Sequence, residues 1–141
     1  MTLFSDEDQQ NIRQAIEAAE LFTSGEIRIC IEETCPVEAI DRAIHYFGKL
    51  GMDQTVLRNG VLVYLSYSDR KFAIIGDSGI NKLVKDDFWD STKDLMLSYF
   101  KENKLADGII AGVTKAGEQL KTYFPYKEGD KNELSDDIAF F

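Results

Sequence analysis

Asn59-Gly60-Val61-Leu62-Val63-Tyr64-Leu65-Ser66-Tyr67-Ser68-Asp69-Arg70-Lys71-Phe72-Ala73-Ile74-Ile75-Gly76-Asp77-Ser78-Gly79-Ile80 contains two continuous apolar runs separated by a polar turn. Val61 to Leu65 and Phe72 to Ile75 do not alternate with polar residues, which is the pattern of strands covered on both faces. Ser66 to Lys71 allows a hairpin, so the two strands are expected to be antiparallel. The stretch also delivers Asp69 and Arg70 at its turn and Asp77 at its end.

Toward the N-terminus, Ile27, Ile29 and Ile31 alternate with Glu26, Arg28, Cys30 and Glu32, a period-2 pattern with one apolar face. Pro36 suits the first turn of a helix, with Val37, Ile40, Ile44 and Phe47 as its expected buried side and Gly51 as its end. A helical crossover between the first and second strands makes them parallel, with the usual right-handed connection. Ser5 and Asp8 form a near-capping box for the first helix, where Ile12, Ile16 and Ala19 recur at helical spacing.

Beyond Ile80, Val84, Phe88, Leu95 and Tyr99 give a helical stripe that is expected to break near Asp86-Asp87. Ile109, Val113, Ala116, Leu120 and Tyr123 mark the clearest amphipathic helix, with Pro125 just past its end. The element order predicts a three-layer α/β/α sandwich, a small mixed sheet flanked by helices. One domain over residues 1–125 is followed by an acidic tail, residues 126–141. The tail's final Ile138-Ala139-Phe140-Phe141 reads as an anchor for this domain or for a partner.

A chain of 141 residues is long enough for one full core. With 25 acidic against 16 basic side chains and a net charge of −9, it repels phosphate backbones, so no nucleic-acid partner is expected. No apolar run approaches the roughly 18 residues of a membrane span, so no membrane partner is expected. The N-terminal residues lack a basic leader and apolar core, which points to a cytoplasmic address. Cys30 and Cys35 match neither zinc nor Cys-x-x-Cys spacing and read as ordinary reduced thiols. His45, the only histidine, reads as structural, and Phe88-Trp89 as core.

Asp77 lies between Gly76 and Ser78-Gly79, where a backbone without side chains can approach an ion closely. If Asp86, Asp87 and Asp90 fold back toward it, four carboxylates converge on a calcium-like oxygen site; the alternative is that all four serve helix N-termini. Glu26, Arg28, Asp69, Arg70 and Asp107 are candidate cleft residues. Glu26 and Arg28 share one side of a strand, Asp69 and Arg70 cap the hairpin, and Asp107 precedes a helix.

Ser24-Gly25-Glu26-Ile27-Arg28, Asn59-Gly60-Val61-Leu62, Asp69-Arg70-Lys71, Gly76-Asp77-Ser78-Gly79-Ile80 and Asp107-Gly108-Ile109-Ile110-Ala111-Gly112 follow one another in an order and spacing that resemble the TPM domain family over Ser5 to Phe124. That domain is shared by a thylakoid-lumen photosystem II repair protein and a modulator of nicotinic acetylcholine receptors. The resemblance implies calcium binding at the Asp77 segment, with magnesium as the alternative ion. It also implies, through the photosynthetic relative, a weak metal-dependent acid phosphatase, which would need Arg28 or Arg70 on the phosphate. No P-loop or Cys-x5-Arg cradle supports the enzyme, so the expectation is a divalent-cation-binding domain without efficient catalysis. A protein-interaction adaptor is the third reading.

Overall fold

The computed structural model describes residues 4–126 and 134–141. Residues 127–133 of the acidic tail lie outside the described residues. The elements are α1 (Asp6–Glu20), β1 (Glu26–Glu32), α2 (Ala39–Lys49), a single 3-10 turn (Met52–Gln54), β2 (Gly60–Ser66), β3 (Lys71–Gly76), α3 (Ser78–Asn81), α4 (Asp90–Phe100), α5 (Leu105–Tyr123) and β4 (Ala139–Phe140).

The four strands form one sheet in the order β3-β2-β1-β4. β1 and β2 are parallel, with Glu26 opposite Gly60 and Glu32 opposite Ser66. β2 and β3 are antiparallel and close at Ser66 opposite Lys71, leaving a turn over residues 67–70. The parallel pair and hairpin are therefore as expected. β4 is an addition: two residues of the tail pair in parallel with Cys30 and Ile31, and the Phe141 N–H donates to the Ile31 carbonyl at 2.9 Å. The terminal anchor docks in its own domain, with Ile138 packed on the core.

Alternation along the strands splits the core into two layers. Ile27, Ile29, Ile31, Val61, Val63 and Leu65 face α1 and α5, whereas Cys30, Leu62, Tyr64 and Ala73 face α2. β1 is consequently buried on both faces, and the expectation of one wet face is corrected: Glu26, Cys30 and Glu32 are all buried. Cys30 and Cys35 are free thiols, and burial pushes the Cys30 thiol up to about 12.

α1 has its expected start, with Ser5 Oγ accepting from the Asp8 N–H and Asp8 answering the Ser5 N–H. On α2 the buried side differs from the expected stripe. Ala43, Tyr46 and Phe47 face the sheet, while Val37, Ile40 and Ile44 are exposed. The rotation follows from Tyr46, whose ring is buried only where its hydroxyl reaches Glu32.

In α4 the buried positions are Thr92 and Met96, the latter crossing α5 at Gly112. A Cβ on Gly112 would lie 2.4 Å from Met96 Sδ. Trp89 is buried in the core with Phe88 against it, as read from the sequence.

Two glycine substitutions should move stability in opposite directions. A Cβ at Gly79 would stand 2.3 Å from the Leu57 carbonyl oxygen and 2.5 Å from that of Arg58, both backbone atoms. Gly79→Ala is expected to cost at least the ~1–3 kcal/mol of an overpacked site. Gly48, inside α2, has nothing within 4 Å of its added Cβ, so Gly48→Ala should gain about 0.5–1 kcal/mol. Denaturant unfolding of both variants checks the pair; equal effects would contradict the packing at Gly79.

Candidate functional site

The two ends of the parallel strands carry different chemistry. At the N-terminal end of β1 and β2, β3 arrives and Asp77 follows it, its N–H donating to the Gly60 carbonyl. The Asp77 carboxylate is buried and already engaged. Arg58 grips it with Nε–Oδ2 at 2.7 Å and Nη2–Oδ1 at 2.9 Å, and the Ser78 N–H donates to Oδ1 at 2.7 Å. Asp77 is the N-cap of α3, and a bidentate guanidinium neutralises the charge that would attract a cation.

The other expected ligands do not join it. Asp86 and Asp87 are exposed in the turn before α4, and Asp90 opens α4, also exposed. Among the described residues, no group of three or more His, Cys, Asp or Glu side chains is placed to hold a metal ion. The expected convergence of Asp77, Asp86, Asp87 and Asp90 is corrected on that ground: the short α3 is followed by a turn whose acids point to water. Asp77 caps α3 and Asp90 stands in the first turn of α4, while Asp86 and Asp87 precede the Trp89 N-cap.

The candidate cleft residues are dispersed. Asp69 and Arg70 lie at the opposite end of the sheet, where Asp69 accepts the Cys35 N–H at 2.7 Å and ties the hairpin to the segment before α2. Asp107 sits in the first turn of α5, exposed. Arg28 is half-buried, and its Nε has no hydrogen-bond partner among the described residues.

Glu26 belongs to a group that the sequence did not reveal. At the open edge of β1, Glu20 from the last turn of α1 meets the carboxyls of both Glu26 and Asp136, while its Oε2 accepts the Ile27 N–H at 3.3 Å. Burial first, then these two acidic partners, raise the Glu20 carboxyl well above the usual carboxylate range. Its position at a helix C-terminus, with no basic residue in that turn, acts in the same direction. A carboxylate facing the negative end of a helix was the one legible hint. Nothing in the tail's run of acids singled out Asp136.

At the C-terminal end of β1, Glu32 is the contrasting case. Arg42 donates to it through Nε at 2.7 Å and Nη2 at 3.1 Å, Tyr46 through its hydroxyl at 2.7 Å, and Tyr64 through its hydroxyl as well. Burial alone would raise this carboxyl, but these donors outweigh it and hold the group at about 2.

The TPM domain profile matches residues 1–119. Among solved structures, the chain is similar to the BA42 protein from the psychrophilic bacterium Bizionia argentinensis, with 43% identity and a TM-score of 0.92 over 98% of this chain and 95% of that one. The N-terminal domain of the cg2496 protein from Corynebacterium glutamicum matches with a TM-score of 0.65 at 13% identity, over 98% of this chain and 80% of that one. The N-terminal domain of a P. gingivalis protein matches with 0.69 at 17%, over 86% and 79%. These last two share the fold. No curated protein matches the chain. Among the described residues, no helix is long and apolar enough to cross a membrane.

The two glutamates predict opposite pH dependences. Glu20 binds its proton more tightly when folded, so its contribution is complete below the ordinary carboxyl value of 4.5 and is lost as pH rises toward the folded value. Glu32 contributes above 4.5, and that contribution is lost as pH falls toward about 2. Melting temperature should fall from about pH 5 to about pH 8 in the parent and be flatter in Glu20→Gln, which keeps the neutral form's shape. Glu32→Gln should flatten the acid limb instead. A Glu20→Gln protein that declines as steeply as the parent would exclude titration of the cluster.

Proposed function

We propose a divalent-cation-binding role for this chain, which belongs to the TPM domain family, with calcium as the first candidate and magnesium as the alternative. The cation would sit not at Asp77 but at a group of three carboxyls, Glu20, Glu26 and Asp136. One observation carries it, the meeting of Glu20 with two buried acids, Glu26 and Asp136.

Three acids drawn together out of water need positive charge in some form. Burial and two acidic neighbours favour the protonated form of Glu20, and the described residues present no ready-made set of three ligands. The donor chemistry nevertheless suits a hard cation, since calcium takes oxygen ligands from carboxylates, carbonyls and water. Cation and protons would compete for the same oxygens, so binding is coupled to proton release. Asp77 would remain a cap, its charge used by Arg58.

The reading assigns no turnover to the site. Of the two arginines that the phosphatase alternative would use, Arg70 stands at the far end of the sheet from Glu26, whereas Arg28 lies two residues from Glu26 on β1, so that alternative rests on Arg28 alone. The adaptor alternative needs a free aromatic terminus, whereas Phe141 stacks on Tyr46 at 4.3 Å between ring centroids.

Calcium titration followed by residue-resolved amide shifts should perturb the ends of α1 and β1 and the segment around Asp136. The response should strengthen from about pH 6 to about pH 8 as fewer protons compete with the cation. Saturation at a hundredfold excess over Kd would raise stability by about 2.7 kcal/mol. Glu26→Gln should abolish the response and Asp77→Asn should retain it. No shift and no change in melting at millimolar calcium or magnesium would end the cation reading, and loss in Asp77→Asn alone would return the ion to the Asp77 loop.

A further inference from the structure

We infer that a second site, at the opposite end of the sheet, binds a small organic anion: an oxyanion head on an apolar body, held by Arg70 and Lys101. A cavity of about 220 Å³ opens between the β2–β3 turn and the junction of α4 with α5. Leu97, Phe100 and Leu105 contribute apolar wall, and the charged residues lining it are both cationic, Arg70 and Lys101. Neither has an ion-pair partner among the described residues, in a chain where acids outnumber bases 25 to 16. Two uncommitted cations at one apolar-walled opening are charge-complementary to an amphipathic anion.

The backbone points to the same place. Arg58, Arg70 and Asn103 are the described non-glycine residues with positive φ, at 51°, 53° and 60°. Asparagine tolerates this region, but arginine does so at a cost. At Arg58 the strained backbone delivers a guanidinium to Asp77 in a two-point grip. At Arg70 the same backbone state falls on a residue that lines the cavity, where the matching carboxylate or phosphate would come from a ligand. Asn103 lines the cavity as well.

Position and size restrict the ligand. The cavity lies at the carboxyl end of β2, where its parallel partner β1 also ends, the side of an open α/β sheet at which ligands collect. Its volume is below the roughly 300–1,000 Å³ of pockets for drug-sized molecules, so the body is about the size of a single ring or a short chain. The head is a carboxylate or a phosphate monoester, since both match the arginine fork. This site is independent of the carboxyl cluster, which occupies the other end of β1.

Benzoate, phenyl phosphate and neutral benzyl alcohol, each titrated into the ¹⁵N-labelled full chain, distinguish the outcomes. The two anions should shift amides of residues 65–70 and 97–105 with saturation, and their relative affinity identifies the preferred head; benzyl alcohol should not. Arg70→Ala with Lys101→Ala should weaken the anions at least tenfold. Arg70→Gly supplies the readout that a merely structural residue would not give: relieved of positive-φ strain, it should raise the melting temperature while binding is lost. Equal shifts from benzyl alcohol, anion shifts that persist in the double variant, or the absence of saturable shifts would each overturn the assignment, as would Arg70→Gly that binds as the parent does.

Discussion

A carboxylate withdrawn from water must be met by donors, and the way Glu32 is met organises one side of the sheet. Its partners come from two elements: Arg42 and Tyr46 from α2, Tyr64 from β2. Leaving such a group without one partner typically costs ~3–5 kcal/mol, much more than an exposed pair contributes. The constraint is also geometric. A slip of one residue in β2 would send the Tyr64 hydroxyl to the other face, so the polar contact pins the register that the apolar runs alone leave loose. Tyr46 then offers its ring to Phe141, with Lys49 Nζ 4.9 Å from that ring's centre, so the docking of β4 depends on the same tyrosine.

The opposite end of β1 solves a similar problem differently. Glu20, Glu26 and Asp136 are brought together without the arginine that serves Glu32, and the Glu20 carboxyl is pushed toward its neutral form instead. Asp77, close by at the end of β3, has an arginine of its own. Glu32 and Asp77 are thus each answered by a guanidinium, whereas Glu20 is met by other acids.

Much of the architecture was legible in residues 59–80. Continuous apolar strands, a polar turn of hairpin length and the preceding helical crossover are local or periodic signals, and they led to the parallel pair and the antiparallel third strand. The α2 face was misread because Val37, Ile40 and Ile44 have the better apolar periodicity, while Tyr46 is chosen by a hydroxyl contact with a residue in another element. β4 carries too little sequence to show a period. The carboxyl cluster was illegible for a deeper reason. Asp77, Asp86, Asp87 and Asp90 are neighbours in the chain and invited grouping, whereas Glu20 and Asp136 meet only because the tail returns along the edge of β1.

That return has a kinetic meaning. α1 packs on α5 and β1 receives β4, so both the first helix and the first strand are completed by segments from the far part of the chain. Loop closure over such separations must precede the contacts that reward it, which places this fold among the slower two-state topologies for its size. During synthesis the apolar face of α1 and the open edge of β1 stay uncovered until the last third of the domain has emerged, and a paired strand edge is the feature that protects against intermolecular association. The shortest strand in the sheet therefore bears on the avoidance of aggregation as well as on the stability of the finished protein.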